Sequence, residues 1–159
     1  MPPLLNFTRI SKTDLIPGDF LRRWNYERRR DESRNAKQAA DLASSGQARI
    51  LVLTIDEQDI GFIATGIYKP EDEKQYHLRI LFLFVSAQYR KERLEELDGL
   101  LASEYMMGQV VKVVFSTSNV IPFKSIVLQT ASDKLDPLYN SLGFTEIPGL
   151  KSWMSLLLP

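Results

Sequence analysis

The stretch Leu128-Gln129-Thr130-Ala131-Ser132, followed after a short gap by Pro137-Leu138-Tyr139-Asn140-Ser141-Leu142-Gly143-Phe144, is the most specific text in this chain of 159 residues. Ser125 to Thr130 is apolar and β-favouring and reads as a strand. Asp136-Pro137 starts a helix, with a side-chain cap followed by a proline in the first turn. Gly143 ends that helix, because the chain leaves it through a positive φ that penalises a Cβ. Phe144 to Ile147 and Ser152 to Leu158 then read as strands. Leu138, Leu142 and Phe144 are core residues in any such arrangement.

Working outward from this segment, Asn6 to Ile10 reads as a short first strand, and Phe20, Leu21 and Trp24 fall at helical spacing after Pro17-Gly18. A second helix is expected from Ser33, as N-cap, to Gly46, with Ala36, Ala39, Ala40 and Ala43 on its packed face. Arg49 to Ile55 and Ile60 to Tyr68 form an antiparallel hairpin around the polar turn Asp56-Glu57-Gln58-Asp59. His77 to Val85 is the strongest strand, and its continuous Leu/Ile/Phe content implies burial on both faces. Tyr89 to about Met106 reads as a helix with Leu94, Leu97, Leu101 and Tyr105 on one face. Val110 to Ser116 reads as a strand, although its valines also suit a buried helix. The order specifies one α/β (α+β) domain over 1–159, with a mixed sheet and helices.

Composition excludes much chemistry. There is no cysteine, so disulfide scaffolds, thiol nucleophiles and cysteine-ligated metals are ruled out. A single histidine, His77, gives no His–His metal pair and no histidine-based triad beside a nucleophile signature. Twenty basic and twenty acidic side chains leave no net charge, which argues against a general nucleic-acid binder and against DNA as a partner. No signal pattern is present and no apolar run reaches the ~18 residues a membrane span needs, so the expected setting is soluble and cytoplasmic. The zero is unevenly distributed. Residues 1–55 carry ten basic and six acidic side chains, 56–98 carry six and ten, and 99–159 carry four and four.

The segment from Leu128 to Phe144 resembles the end of the GCN5-related N-acetyltransferases (GNAT), in which a strand runs into a short tyrosine-bearing helix and "LGF" turns into the next strand. The element order resembles that family from about Thr8 to Leu158. The resemblance implies a mostly antiparallel central sheet flanked by helices on both faces, acetyl-CoA as cofactor, and transfer of its acetyl group to an amine by direct attack. It also implies that Tyr139 protonates the departing thiolate; on the residues alone, Tyr139 is equally a core tyrosine with a satisfied hydroxyl. Leu83, Phe84 and Val85 occupy the strand that offers backbone groups to the pantetheine arm and thioester.

In the family, an Arg or Gln, two residues, Gly, one residue, then Gly or Ala cradle the pyrophosphate at a helix N-terminus. Aligned on Val85 and Tyr89, this chain reads Arg90-Lys91-Glu92-Arg93-Leu94-Glu95, with Arg90 retained and Arg93 and Glu95 at the glycine positions. Side chains there obstruct a backbone approach to phosphate, whereas Arg90, Lys91 and Arg93 supply side-chain cations. The family's central-strand glutamate is missing, and His77 is the one conventional base in that strand.

Three functions follow. The first is an N-acetyltransferase acting on a small-molecule or peptide amine, with the acceptor and the acyl length open. The second is the same fold with a degraded cofactor site, acting through protein contacts. The third is an acetyltransferase for RNA-linked amines, using the basic cluster Arg22, Arg23, Arg28, Arg29 and Arg30. The segment from Gly108 to Lys124 is longer than the family's usual connection. If exposed, its Val110 to Phe115 run is a homodimer surface; if buried, it is core.

Overall fold

The computed structural model describes residues 3–117, 123–130 and 136–158; Ala131 and Ser132 of the opening motif, and 118–122 of the long connection, lie outside the described residues. The chain begins with β1 (Leu5–Arg9), α1 (Pro17–Arg22) and α2 (Arg29–Ser44), followed by β2 (Arg49–Ile55), β3 (Gln58–Tyr68) and β4 (Tyr76–Val85). Next come two two-residue strands, β5 (Arg93–Leu94) and β6 (Leu100–Leu101), and the helix α3 (Ala102–Thr117). The chain closes with β7 (Phe123–Gln129), α4 (Asp136–Ser141), β8 (Thr145–Glu146) and β9 (Trp153–Leu157). Seven strands share one sheet in the order β1-β2-β3-β4-β7-β9-β8; β4 and β7 are parallel, while β1–β2, β2–β3, β7–β9 and β8–β9 are antiparallel.

Two compact units divide the chain: residues up to Thr65 with Phe82–Met107, and Gly66–Leu81 with the residues from Gly108 onward. In the first, the expected hairpin forms with Arg49 opposite Thr65 and Leu53 opposite Gly61, and the register then slips so that Thr54 meets Asp59. The slip leaves Ile60 as the extra residue of a bulge, and its carbonyl accepts the Ser86 N–H at 2.9 Å. Phe20, Trp24, Phe62 and Phe84 form a contiguous aromatic cluster with ring centroids 5.2–5.8 Å apart. The alanine stripe of α2 is buried as its spacing requires.

Gly61 sets how closely β3 can approach the end of β4. A Cβ at this position would sit 2.5 Å from the Phe84 carbonyl oxygen, 2.9 Å from Met106 Cε and 3.3 Å from Val85 Cα. Two of these three are backbone atoms, which cannot swing away as a side-chain tip can.

In the second unit, β4 and β7 pair from Tyr76–Phe123 to Ile80–Leu128. β7 also pairs with β9, with Leu128 opposite Met154. Buried Ile126, Leu128, Tyr139, Phe144 and Met154 belong to this core. Gly143 has φ +99°, as the helix exit demands, with Leu156 Cδ1 3.1 Å from where its Cβ would stand.

Four expectations are corrected. The expected helix from Tyr89 to Met106 is helical only from Ala102, within α3; before it, a 3₁₀ turn at Ala87–Tyr89 precedes the β5–β6 pair and a second, Glu95–Leu97, connects its strands. Asp98 and Gly99 both take positive φ, 56° and 78°, and turn the chain back, so Leu94 and Leu97 reach the core without helical backbone. The expected strand from Val110 to Ser116 is helical, within α3: Met106, Val110 and Val114 are buried at a spacing of four while Val113 is exposed. α2 starts at Arg29, one turn before Ser33, because the Glu32 carboxylate accepts the Arg28 N–H at 2.7 Å and completes that turn. Finally, β4 is buried at His77 and Ile80, whereas Leu81–Val85 is half-buried throughout.

Gly61→Ala should destabilise the protein by about 1–3 kcal/mol. Urea denaturation would measure this, and an unchanged midpoint would show that β3 and β4 have room to spare.

Candidate functional site

Within β4, the last pair with β7 is Ile80–Leu128, and the strand continues for five residues, Leu81 to Val85. Over that stretch the β4–β7 ladder has no further residue pair among the described residues. Leu83, Phe84 and Val85 lie in this stretch. Phe84 packs against Trp24, Tyr26 and Phe62, and Leu83 and Val85 pack on the Leu53–Met106 core cluster.

Arg90 closes the end of this strand. Its Nε donates to the Val85 carbonyl at 2.7 Å, and its guanidinium lies 5.2 Å over the Phe84 ring. Nη1 donates to Glu27 and Glu32 at 3.3 Å each, and Nη2 makes a further bond to Glu32. Glu32 also accepts the N–H groups of Glu27 and Arg28. Burial opposes ionisation of Glu32. The hydrogen bond from Arg90, the Arg28 N–H, the charge of Arg90 and the Glu27 N–H outweigh it, and hold the carboxyl below its usual range. The loop before α2 is fastened to the same strand end: Asn25 N donates to Ser86 Oγ at 2.8 Å, and Ala87 N to the Asn25 carbonyl at 2.8 Å.

The remaining candidates of the expected phosphate segment do not open a helix. Lys91 and Glu92 are exposed in a turn, Arg93 and Leu94 form β5, and Glu95 is exposed in a 3₁₀ turn. The helix that follows begins at Ala102, and an internal carboxylate serves its first turn: Glu104 Oε1 accepts the Leu101 N–H at 3.0 Å. This is the reciprocal half of a capping box. Arg93 Nη1 bonds the same oxygen at 3.2 Å and the Gly99 carbonyl at 3.3 Å. The sequence carried a signal for this hairpin in Asp98-Gly99, a pair that favours tight turns with positive φ. The leucine spacing, read as helical, hid it.

In the second unit, Tyr139 lies on α4 and is 6% exposed, with its ring edge-on to Phe144 at 6.1 Å. Burial pushes its phenol pKa up, and the charge of Asp136 adds to the shift. His77 is buried with both ring nitrogens engaged, Nδ1 with Ser125 Oγ at 2.6 Å and Nε2 with Glu73 at 3.3 Å. Glu73 also reaches Lys124 at 3.8 Å. Such a ring fastens a loop to a strand and has no free nitrogen for an incoming amine.

The basic cluster is partly neutralised. Arg23 makes a two-pronged bond to Asp59 at 2.9 and 2.7 Å, which raises its pKa against the opposing effect of burial. Arg28, Arg29 and Arg30 are exposed. Trp24, Tyr26 and Arg29 help to line a cavity of about 530 Å³; they belong to the basic cluster legible in the sequence, but the cavity itself depends on where the α1–α2 loop folds. Among the described residues no helix is long and apolar enough to cross a membrane.

No family model and no curated protein matches the chain. Solved structures do. A mutant of the AtaT toxin, bound to the C-terminus of the antitoxin AtaR and acetyl-CoA, is 13% identical, with 97% of this chain and 93% of that one covered and a TM-score of 0.71. AtaT complexed with acetyl-methionyl-tRNAfMet gives 13% identity, 98% and 94% coverage and a TM-score of 0.66. The GNAT family N-acetyltransferase YhbS from Escherichia coli, in complex with CoA, gives 23% identity, 100% and 83% coverage and 0.64. The fold is that of the GNAT acetyltransferases.

Because Glu32 titrates low in the folded chain, its contribution to stability is complete above the ordinary carboxyl pKa of about 4.3 and is lost as pH falls through the depressed folded value. Glu32→Gln should therefore lower stability at neutral pH and flatten the acid limb of the urea midpoint against pH. An acid limb as steep as that of the unaltered chain would show that Glu32 is not held by Arg90.

Proposed function

We propose that the protein is an acetyl-CoA-dependent N-acetyltransferase. The observation that carries this reading is the five-residue extension of β4 beyond its β7 ladder, in a chain with the GNAT fold. Backbone groups of Leu83, Phe84 and Val85 suit the pantetheine arm and thioester, because a strand edge outside a ladder can pair with an extended amide-bearing ligand. The acetyl donor supplies an activated thioester. The amine lone pair forms the C–N bond as the C–S bond breaks; the nitrogen loses its proton to water, and the thiolate receives one. Tyr139 is assigned that donation, since a phenol with a raised pKa is fully protonated at neutral pH. His77, whose ring nitrogens are both occupied, is assigned a structural part.

The pyrophosphate end fits differently. Arg90 is committed to two carboxylates and a carbonyl, and Glu104 caps α3. Of the Arg90–Glu95 stretch, Lys91 and Arg93 are therefore the cations assigned to the phosphates, Lys91 as an exposed cation and Arg93, itself largely exposed, by exchanging its bond to Glu104, through side chains rather than a glycine-lined backbone cradle. The same two carboxylates favour a second reading, a GNAT-fold module that acts through protein contacts with its phosphate site closed. Neither reading calls on Glu92, Leu94 or Glu95 as more than the scaffold of the hairpin.

Calorimetric titration with acetyl-CoA separates the two readings: binding supports the enzyme, and silence at millimolar cofactor removes it. Given binding, Tyr139→Phe should lower turnover about 100-fold or more while leaving affinity nearly unchanged. Undiminished turnover would end the acid role.

A further inference from the structure

The cavity beside the α1–α2 loop has a chemical polarity of its own. It is lined by residues between Leu21 and Ser33, all in the first compact unit, and none of its lining side chains is acidic. Two are arginines. Arg22 pairs with Asp19 at 3.4 Å, but both side chains are mostly exposed, at 78% and 63%, so the pair is weak and its charge remains available. Arg29 makes no ion pair among the described residues. Glu27 and Glu32, which sit nearby in sequence, are tied to Arg90.

The hydrogen-bonding groups point the same way. Tyr26 donates its hydroxyl proton to the Leu21 carbonyl at 2.7 Å, so its oxygen can only accept from anything in the cavity. Asn25 spends an amide N–H on Gln88 at 2.8 Å, and Ser33 donates its hydroxyl to the Arg30 carbonyl at 3.3 Å. Acceptor oxygens thus suit the N–H groups of an uncharged amine, and two guanidinium groups suit an oxyanion on the same molecule. The aromatic wall leads to the reacting strand, because Trp24 and Tyr26 both pack on Phe84, at 5.7 and 5.5 Å between ring centroids.

We propose that this cavity receives the acyl acceptor and that the acceptor is an amine carrying an anionic oxygen group, a carboxylate or a phosphate, bound by Arg29 and Arg22. The inference rests on the acetyl-transfer reading and narrows its substrate class. Polyamines and lysine-rich peptides are disfavoured acceptors, since their additional positive charges meet guanidinium groups with no carboxylate in the cavity lining to receive them.

The test uses the full chain, acetyl-CoA and matched acceptors: phosphoethanolamine against ethanolamine, β-alanine against propylamine, and spermidine. The anionic member of each pair should have the higher kcat/KM by about tenfold or more. Arg29→Ala should reduce that ratio, and Arg29→Glu should invert it in favour of spermidine. Arg29 is exposed, so both variants should fold. A preference for spermidine by the unaltered chain, or a ratio untouched by Arg29→Glu, overturns the proposal. So does transfer confined to RNA-borne amines with steep salt dependence. The two acid classes are distinguished by which pair shows the larger ratio, and either one supports the proposal. If acetyl-CoA does not bind, the transfer reading falls by itself. Titration of phosphoethanolamine into the unaltered chain and Arg29→Glu still decides the cavity: binding that the variant loses supports it, and no binding overturns it.

Discussion

The guanidinium of Arg90, held by Glu32 against the Val85 carbonyl, is the contact on which the functional end of the first unit depends. One cation joins three parts of the chain: the end of β4, the first turn of α2 and the loop that carries Trp24 and Tyr26. Without it, Glu32 would be a half-buried carboxylate with only two backbone donors, and the Val85 carbonyl would lose its bond. Because both partners are partly desolvated, removing either one costs more than an exposed ion pair would. The arginine that a family pattern reads as a phosphate ligand is here a clasp within the protein.

The same substitution of an internal charge for an external one recurs at α3. A helix N-terminus attracts negative charge, and here Glu104 meets that demand with its own carboxylate, in turn balanced by Arg93. With no glycines to let a phosphate approach the backbone, the helix end is satisfied from within. Both carboxylates would compete with an incoming anion.

What the sequence revealed follows its physics closely. Residues with a local rationale were legible: the alanine stripe of α2, the hairpin around Asp56, and the helix between Asp136 and Gly143 with its obligatory positive φ. Leu94, Leu97 and Leu101 misled because leucines three or four apart mean burial, and a short hairpin can bury them as well as a helix can. Val110 to Ser116 misled because valine favours strands, yet burial at every fourth residue overrode that propensity. The Arg90 clasp was invisible because it joins residues far apart in the chain, and the cavity, although lined by neighbours between Leu21 and Ser33, depends on loop geometry that no periodicity encodes. Tyr139 and His77 could be picked out by residue type, but occupancy of the His77 nitrogens could be learned only from its neighbours in space.

The β5–β6 hairpin has a consequence for how the chain breathes. Two backbone pairs form its ladder, Arg93 ties it to Glu104 and Gly99, and its buried anchor is Leu97, 1% exposed, with Leu94 packed beside it. Amide exchange there should follow local opening of these few contacts, while the strands of the central sheet exchange only through larger openings. The segment between the strand that would hold a thioester and the helix that follows is thus fastened by a short list of contacts, and can rearrange around a ligand without disturbing the central sheet.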